Sequence, residues 1–156
     1  MTYPHPRVRE ALAGMVPVKV SFAQQSEVAG ALGAVWTPTF QFRTPDDRLV
    51  RASTGYFAPE AFLVELALGE AMVAFAERRY ADAEAACVRA VGEAGSSPYA
   101  PEALYWLAVA RYRATGRGEA LKEGWNELLD RYPGTVWASK VSFIREPAPS
   151  EGRRAG

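Results

Sequence analysis

Apolar and polar residues change their spacing along the chain, and each change marks an element. Val8, Ala11 and Leu12 recur at helical intervals, so Arg7 to Ala13 is predicted to be a short helix that Gly14 stops. Val16-Pro17-Val18-Lys19-Val20 alternates instead and predicts a strand, with Pro17 at its start, where the missing amide hydrogen does least harm. Phe22, Val28, Ala29 and Leu32 return to helical spacing, giving a second helix within Ser21 to Leu32 that starts near Gln24 or Ser26 and that Gly33 ends. Phe40 and Phe42 alternate with Thr39 and Gln41. Thr44-Pro45-Asp46-Asp47 then supplies turn chemistry, and Arg48 to Ser53 alternates again around Leu49 and Val50. The expected unit is an antiparallel hairpin. Gly55-Tyr56 breaks it, and Pro59-Glu60 opens a helix with Phe62, Leu63, Leu66 and Ala67 on one face.

From about Leu66 the pattern is helical throughout: Leu66 to Arg79, Ala81 to Val91, Pro98 to Ala114, Glu119 to Arg131, and a short piece from Val136 to Phe143. Alanines at Ala83, Ala103 and Ala108 permit close helix contact, and Leu104, Leu107, Leu121, Leu128 and Leu129 supply burial. The tail from Glu146 through Pro147 to Arg154 has nothing to bury and is expected to be disordered. The chain thus divides into an α/β part over residues 1–67, a helical part over 68–145 and a tail over 146–156.

With 49% hydrophobic residues the chain holds enough apolar material for a packed core. Lys and Arg number 18, as do Asp and Glu, and the formal charge of +0 gives no electrostatic footprint for nucleic acid or for an acidic membrane. The single cysteine, Cys87, makes no internal disulfide, and there is no apolar run of spanning length. A cytoplasmic protein is the expectation.

Val18-Lys19-Val20, then Val35-Trp36-Thr37-Pro38-Thr39-Phe40, then Arg51 to Gly55-Tyr56 and Pro59-Glu60-Ala61-Phe62 together resemble bacterial thioredoxin-like proteins that carry a helical repeat extension. The resemblance covers about residues 3–67. Downstream, Tyr80-Ala81-Asp82-Ala83 with Ala90, and Leu104, Leu107 and Ala108 followed by Thr115-Gly116, Ala120 and Tyr132-Pro133, resemble tetratricopeptide repeats. The fold class this implies is α/β then all-α, an incomplete thioredoxin-like fold packed against a small tetratricopeptide-like helical bundle. The family resemblance also implies a cis Thr37-Pro38 bond in a loop, Trp36 to Thr39, that holds an extended substrate or protein partner. What the family carries and this chain lacks is the C-x-x-C thiol pair and the central strand before it. That strand lies between the one at Val16–Val20 and the one at Thr39–Arg43, so both neighbours have an open edge. An unpaired buried backbone group costs ~1–3 kcal/mol, so the slot needs repair. The two strands close up, another chain donates a strand, or the natural protein begins upstream of Met1; the last is the expectation, since Met1 to Val8 resembles the middle of the family pattern.

Candidate chemistry is sparse. Cys87 lies between Ala86 and Val88 with no cationic neighbour, as a buried thiol would. His5 is the single histidine, so no two-histidine metal site or Ser-His-Asp set can come from His alone, and Asp46-Asp47 read as turn formers. No catalytic residue, metal or cofactor is expected in this chain. If Leu104 takes the fourth position of its repeat, Glu102, Tyr105, Val109, Tyr112 and Arg113 share the helix face that lines the inner groove of such arrays. The competing reading packs Tyr105 and Tyr112 on the α/β part. The functional expectation is a non-catalytic protein-binding or scaffold protein, with a possible homo-oligomer through its open strand edges. The alternative is a thiol-disulfide oxidoreductase whose C-x-x-C segment lies upstream.

Overall fold

One helix, Pro59–Ala76, is buried on nearly every side, and the other elements arrange themselves around it. A computed structural model describes residues 5–146. In chain order these form α1 (Pro6–Leu12), α2 (Ser26–Ala31), β1 (Thr39–Arg43), β2 (Leu49–Thr54), α3 (Pro59–Ala76), α4 (Tyr80–Ala94), α5 (Ala100–Thr115), α6 (Gly118–Arg131) and α7 (Val136–Ser139). A 3-10 turn, Ser142–Arg145, follows. The described part is therefore a small α/β layer followed by an all-helical one.

β1 and β2 make a two-stranded antiparallel sheet with Thr39 opposite Thr54 and Phe42 opposite Arg51, and the register shifts between Phe42 and Arg43. Phe40 and Phe42 turn toward α3 and join Val8 of α1 and Phe62, Leu63 and Leu66 of α3 in one apolar cluster. Gly69 lets this happen, because a Cβ there would stand 2.1 Å from the Phe42 ring. On its other side α3 offers Val64, Ala67, Leu68, Ala71 and Ala74 to α4 and α5. A helix so placed is apolar all round, and its sequence shows no single stripe for that reason.

Short links tie α3, α4, α5 and α6 into consecutive packed pairs. Alanines do most of the work at the contacts: Ala83, Ala86, Ala90 and Ala94 of α4 and Ala100, Ala103, Ala108 and Ala110 of α5 are all buried. Gly124 of α6 continues the pattern, since a Cβ there would lie 2.5 Å from that of Ala108. Gly116 ends α5 in the left-handed conformation that glycine adopts without strain. Leu104, Leu128 and Val141 then close the last layer beneath α7.

Several expectations change. Val16–Val20 forms no strand: the sheet among the described residues has two members, and Val16 and Val18 are 90% and 80% exposed. A strand exists only through its pairing, and this segment neither meets a partner among the described residues nor buries Val16 or Val18. The second helix spans six residues, Ser26–Ala31, and begins at one of the two starts expected for it. The segment from Val136 to Phe143 splits into α7 and the 3-10 turn. The division placed at residues 67 and 68 falls within α3, which serves both layers. Apart from Glu146, the tail expected to be disordered lies outside the described residues.

Candidate functional site

The loop that enters β1 is held by short local bonds. The Thr37-Pro38 peptide is cis. Thr39 donates through its hydroxyl to the Trp36 carbonyl at 2.6 Å and meets the Thr54 hydroxyl at 3.2 Å. Gly55 N–H donates to the Pro38 carbonyl at 2.9 Å, so the loop and the end of β2 form one rim. Gln41 donates from Nε2 to the Leu32 carbonyl and anchors the end of α2 beside β1. At this rim the structure leaves large apolar side chains in water: Val35 is 84% exposed, and Trp36 and Tyr56 are each 70% exposed. Pro38 and Thr39 are half-buried and Thr37 is exposed. All four residues expected in the loop therefore come together, with Tyr56 as a neighbour that sequence reasoning did not single out.

The five residues of the second candidate face all lie on α5, and their side chains meet different neighbours. Glu102 is drawn toward the sheet by Arg51 at 2.7 Å. Tyr105 packs among Trp106, Trp125 and Trp137, with ring centres 5.2, 5.6 and 5.1 Å away, so it faces the last helices and not the α/β layer. Val109 is half-buried, while Tyr112 and Arg113 are exposed. Arg113 donates to the Tyr80 hydroxyl, and its guanidinium lies over the Tyr80 ring at 4.5 Å.

A buried ionic cluster, absent from the sequence expectations, joins the two layers. Arg51 on β2 clamps Glu65 of α3 with two bonds, Nε to Oε1 at 2.9 Å and Nη2 to Oε2 at 2.7 Å, and reaches Glu102 of α5 with Nη1. Ser53 donates its hydroxyl to Glu65 Oε1 at 2.7 Å. The Glu65 and Arg51 side chains are 4% and 15% exposed. Burial on its own would lower the Arg51 pKa, but the hydrogen bonds it donates to Glu65 and then to Glu102 outweigh it and raise the guanidinium above its ordinary value. The sequence signal was one carboxylate inside the run Phe62-Leu63-Val64-Glu65-Leu66-Ala67-Leu68, because a buried carboxylate needs a cation.

Cys87 is fully buried between α3 and α5, and burial, helped by Glu84, pushes its thiol up to about 12. Such a thiol is almost wholly protonated at neutral pH and is a poor nucleophile. His5 caps the start of α1 and is half-buried. Among the described residues no group of three or more His, Cys, Asp or Glu side chains is placed to hold a metal ion. No helix there is long and apolar enough to cross a membrane. Comparison of the chain with protein-family models, with curated proteins and with solved structures gives no match.

Proposed function

We propose that this chain is a thioredoxin-like and tetratricopeptide-like protein-binding module that works without catalytic groups of its own, and that its docking site is the rim formed by Trp36, Thr37, Pro38 and Thr39. The observation that carries this reading is the cluster of exposed large side chains there, Val35, Trp36 and Tyr56, on a loop whose backbone is tied down. An apolar patch of this kind on a fixed loop marks an interaction site, and an aromatic anchor is the residue type that carries binding energy at such sites. The buried, protonated Cys87 supports the non-catalytic half of the reading.

The test uses a permanently unfolded polypeptide, reduced and carboxymethylated casein, as the extended partner. Its addition is expected to shift the amide signals of Trp36 to Thr39 and Tyr56, and Trp36→Ala is expected to weaken that binding by about tenfold or more, as loss of an interface anchor does. Insulin reduction by dithiothreitol is expected to run at its uncatalysed rate beside the chain. Accelerated reduction, or unchanged binding by the Trp36→Ala variant, contradicts the proposal.

A further inference from the structure

The side of β1 that faces away from β2 is an open strand edge. The bond from Gly55 N–H to the Pro38 carbonyl, taken with the register, makes Pro38/Gly55, Phe40/Ser53 and Phe42/Arg51 the bonded pairs. In an antiparallel ladder bonded and non-bonded pairs alternate, so Thr39 and Gln41 turn their N–H and C=O groups outward. Among the described residues nothing hydrogen-bonds to those four groups. Packing on α3 supports this two-stranded sheet, and a third strand would add the backbone bonds that its outer edge lacks.

The same chain carries a segment with the matching deficit. Val16–Val20 makes no backbone hydrogen bond to any described residue, and its first two valines are almost fully in water. Pro17 has no donor, so in a ladder it must face away from its partner, which leaves Val16, Val18 and Val20 to present N–H and C=O on one side. Orientation follows from which face the valines take. Antiparallel pairing would set Val18 beside Gln41, on the polar face. Parallel pairing sets Val18 beside Phe40 and Phe42, on the face that α1 and α3 cover. The formal charge of +0 puts no long-range repulsion between two copies. Edge and segment complement each other, yet within one chain they do not meet.

We propose that the partner at this rim is a second copy of the chain, whose Val16–Val20 adds as a parallel strand to the outer edge of β1, reciprocally about a two-fold axis. This rests on the reading of the Trp36–Thr39 rim as a protein-docking site and names what docks beside it. Each copy then has a three-stranded sheet, and the valines exposed in the single chain are covered.

Sedimentation equilibrium of the full chain from low micromolar to submillimolar concentration reads the outcome. The expected result is a reversible shift from the 17.0 kDa chain to twice that mass. Val18→Asp is expected to stay monomeric with unchanged circular dichroism and thermal midpoint, because Val18 is not packed in the single chain. Under oxidation by dissolved oxygen, mixing the separate variants Lys19→Cys and Gln41→Cys is expected to give a disulfide-linked pair in preference to Val18→Cys mixed with Gln41→Cys, all in a Cys87→Ala background. A monomer throughout, a Val18→Asp chain that still dimerises, or the reverse crosslinking preference overturns the inference. If the chain stays monomeric while carboxymethylated casein still shifts the Trp36 to Thr39 signals, the edge takes a foreign strand: the second-copy inference fails and the protein-binding reading stands. If neither occurs, both fail.

Discussion

The hairpin layer and the helical layer of this protein solve the same problem with opposite success. From α3 onward every helix bonds its own backbone, and alanine contacts bring the axes close together; before Val136 and Phe143 at the far end only Val88 and Tyr112 among the large apolar side chains of these helices are exposed, at 48% and 39%. The N-terminal layer depends on pairing between distant segments. Two strands found each other, a third candidate did not, and Val16, Val18, Val35, Trp36 and Tyr56 are left in water. A helix is complete alone, whereas a strand is complete only with its neighbour. Under the proposed function that difference assigns the helical layer to scaffold and the hairpin layer to partner binding.

The contrast can be broken at the joint between the layers. Arg51→Ala leaves the Glu65 carboxylate buried without its cation, and losing one member of a buried pair costs about 3–5 kcal/mol. Chemical denaturation is expected to show a loss of that size, with exchange of the hairpin amides quickening more than that of α4 to α6. A loss below about 1 kcal/mol would place Arg51 among ordinary surface pairs. Inside the helical layer, Gly124→Ala drives a methyl group into Ala108, and overpacking of this kind costs about 1–3 kcal/mol. Its effect is expected to leave the signals of Trp36 to Thr39 unmoved, so that the two layers respond separately.

The smallest effect belongs to Cys87. Its folded pKa, pushed up to about 12 chiefly by burial, lies above the ordinary 9.0, so the folded state disfavours the thiolate. The thiol's share of stability is therefore fully present below pH 9.0 and is lost as pH rises from there toward about 12. Cys87→Ala is expected to lack that increment of alkaline loss when denaturation midpoints are compared across the window. Thiolate absorbance appearing near pH 9 in the folded chain would contradict it.

What the sequence disclosed follows the same division. The hairpin at Thr39 to Ser53 and the four long helices were legible because their periods, turn residues and breakers are local. Val16–Val20 has the alternation of a strand but not the partner, and alternation cannot supply one. The Arg51 cluster was illegible as a cluster, since its bonds span 14 and 51 positions, although Glu65 within an apolar run was its visible half. The neighbours of the groove-face residues were not legible for a related reason: Glu102 and Tyr105 share α5 with Tyr112 and Arg113, but Glu102 meets Arg51, Tyr105 meets Trp125 and Arg113 meets Tyr80. The loop at Trp36 to Thr39 was legible as a unit, and Tyr56 joined it only through the Gly55 to Pro38 bond.

Amide hydrogen exchange along β1 in dilute solution tests most directly whether the N-terminal layer presents an unfilled edge. The expected pattern alternates: Phe40 and Phe42, whose amides face β2, exchange slowly, while Thr39 and Gln41 exchange close to the rate of an unfolded chain. Equal protection at all four positions in the monomer would mean that the edge is already filled, and the reading of this layer as a docking surface would be wrong.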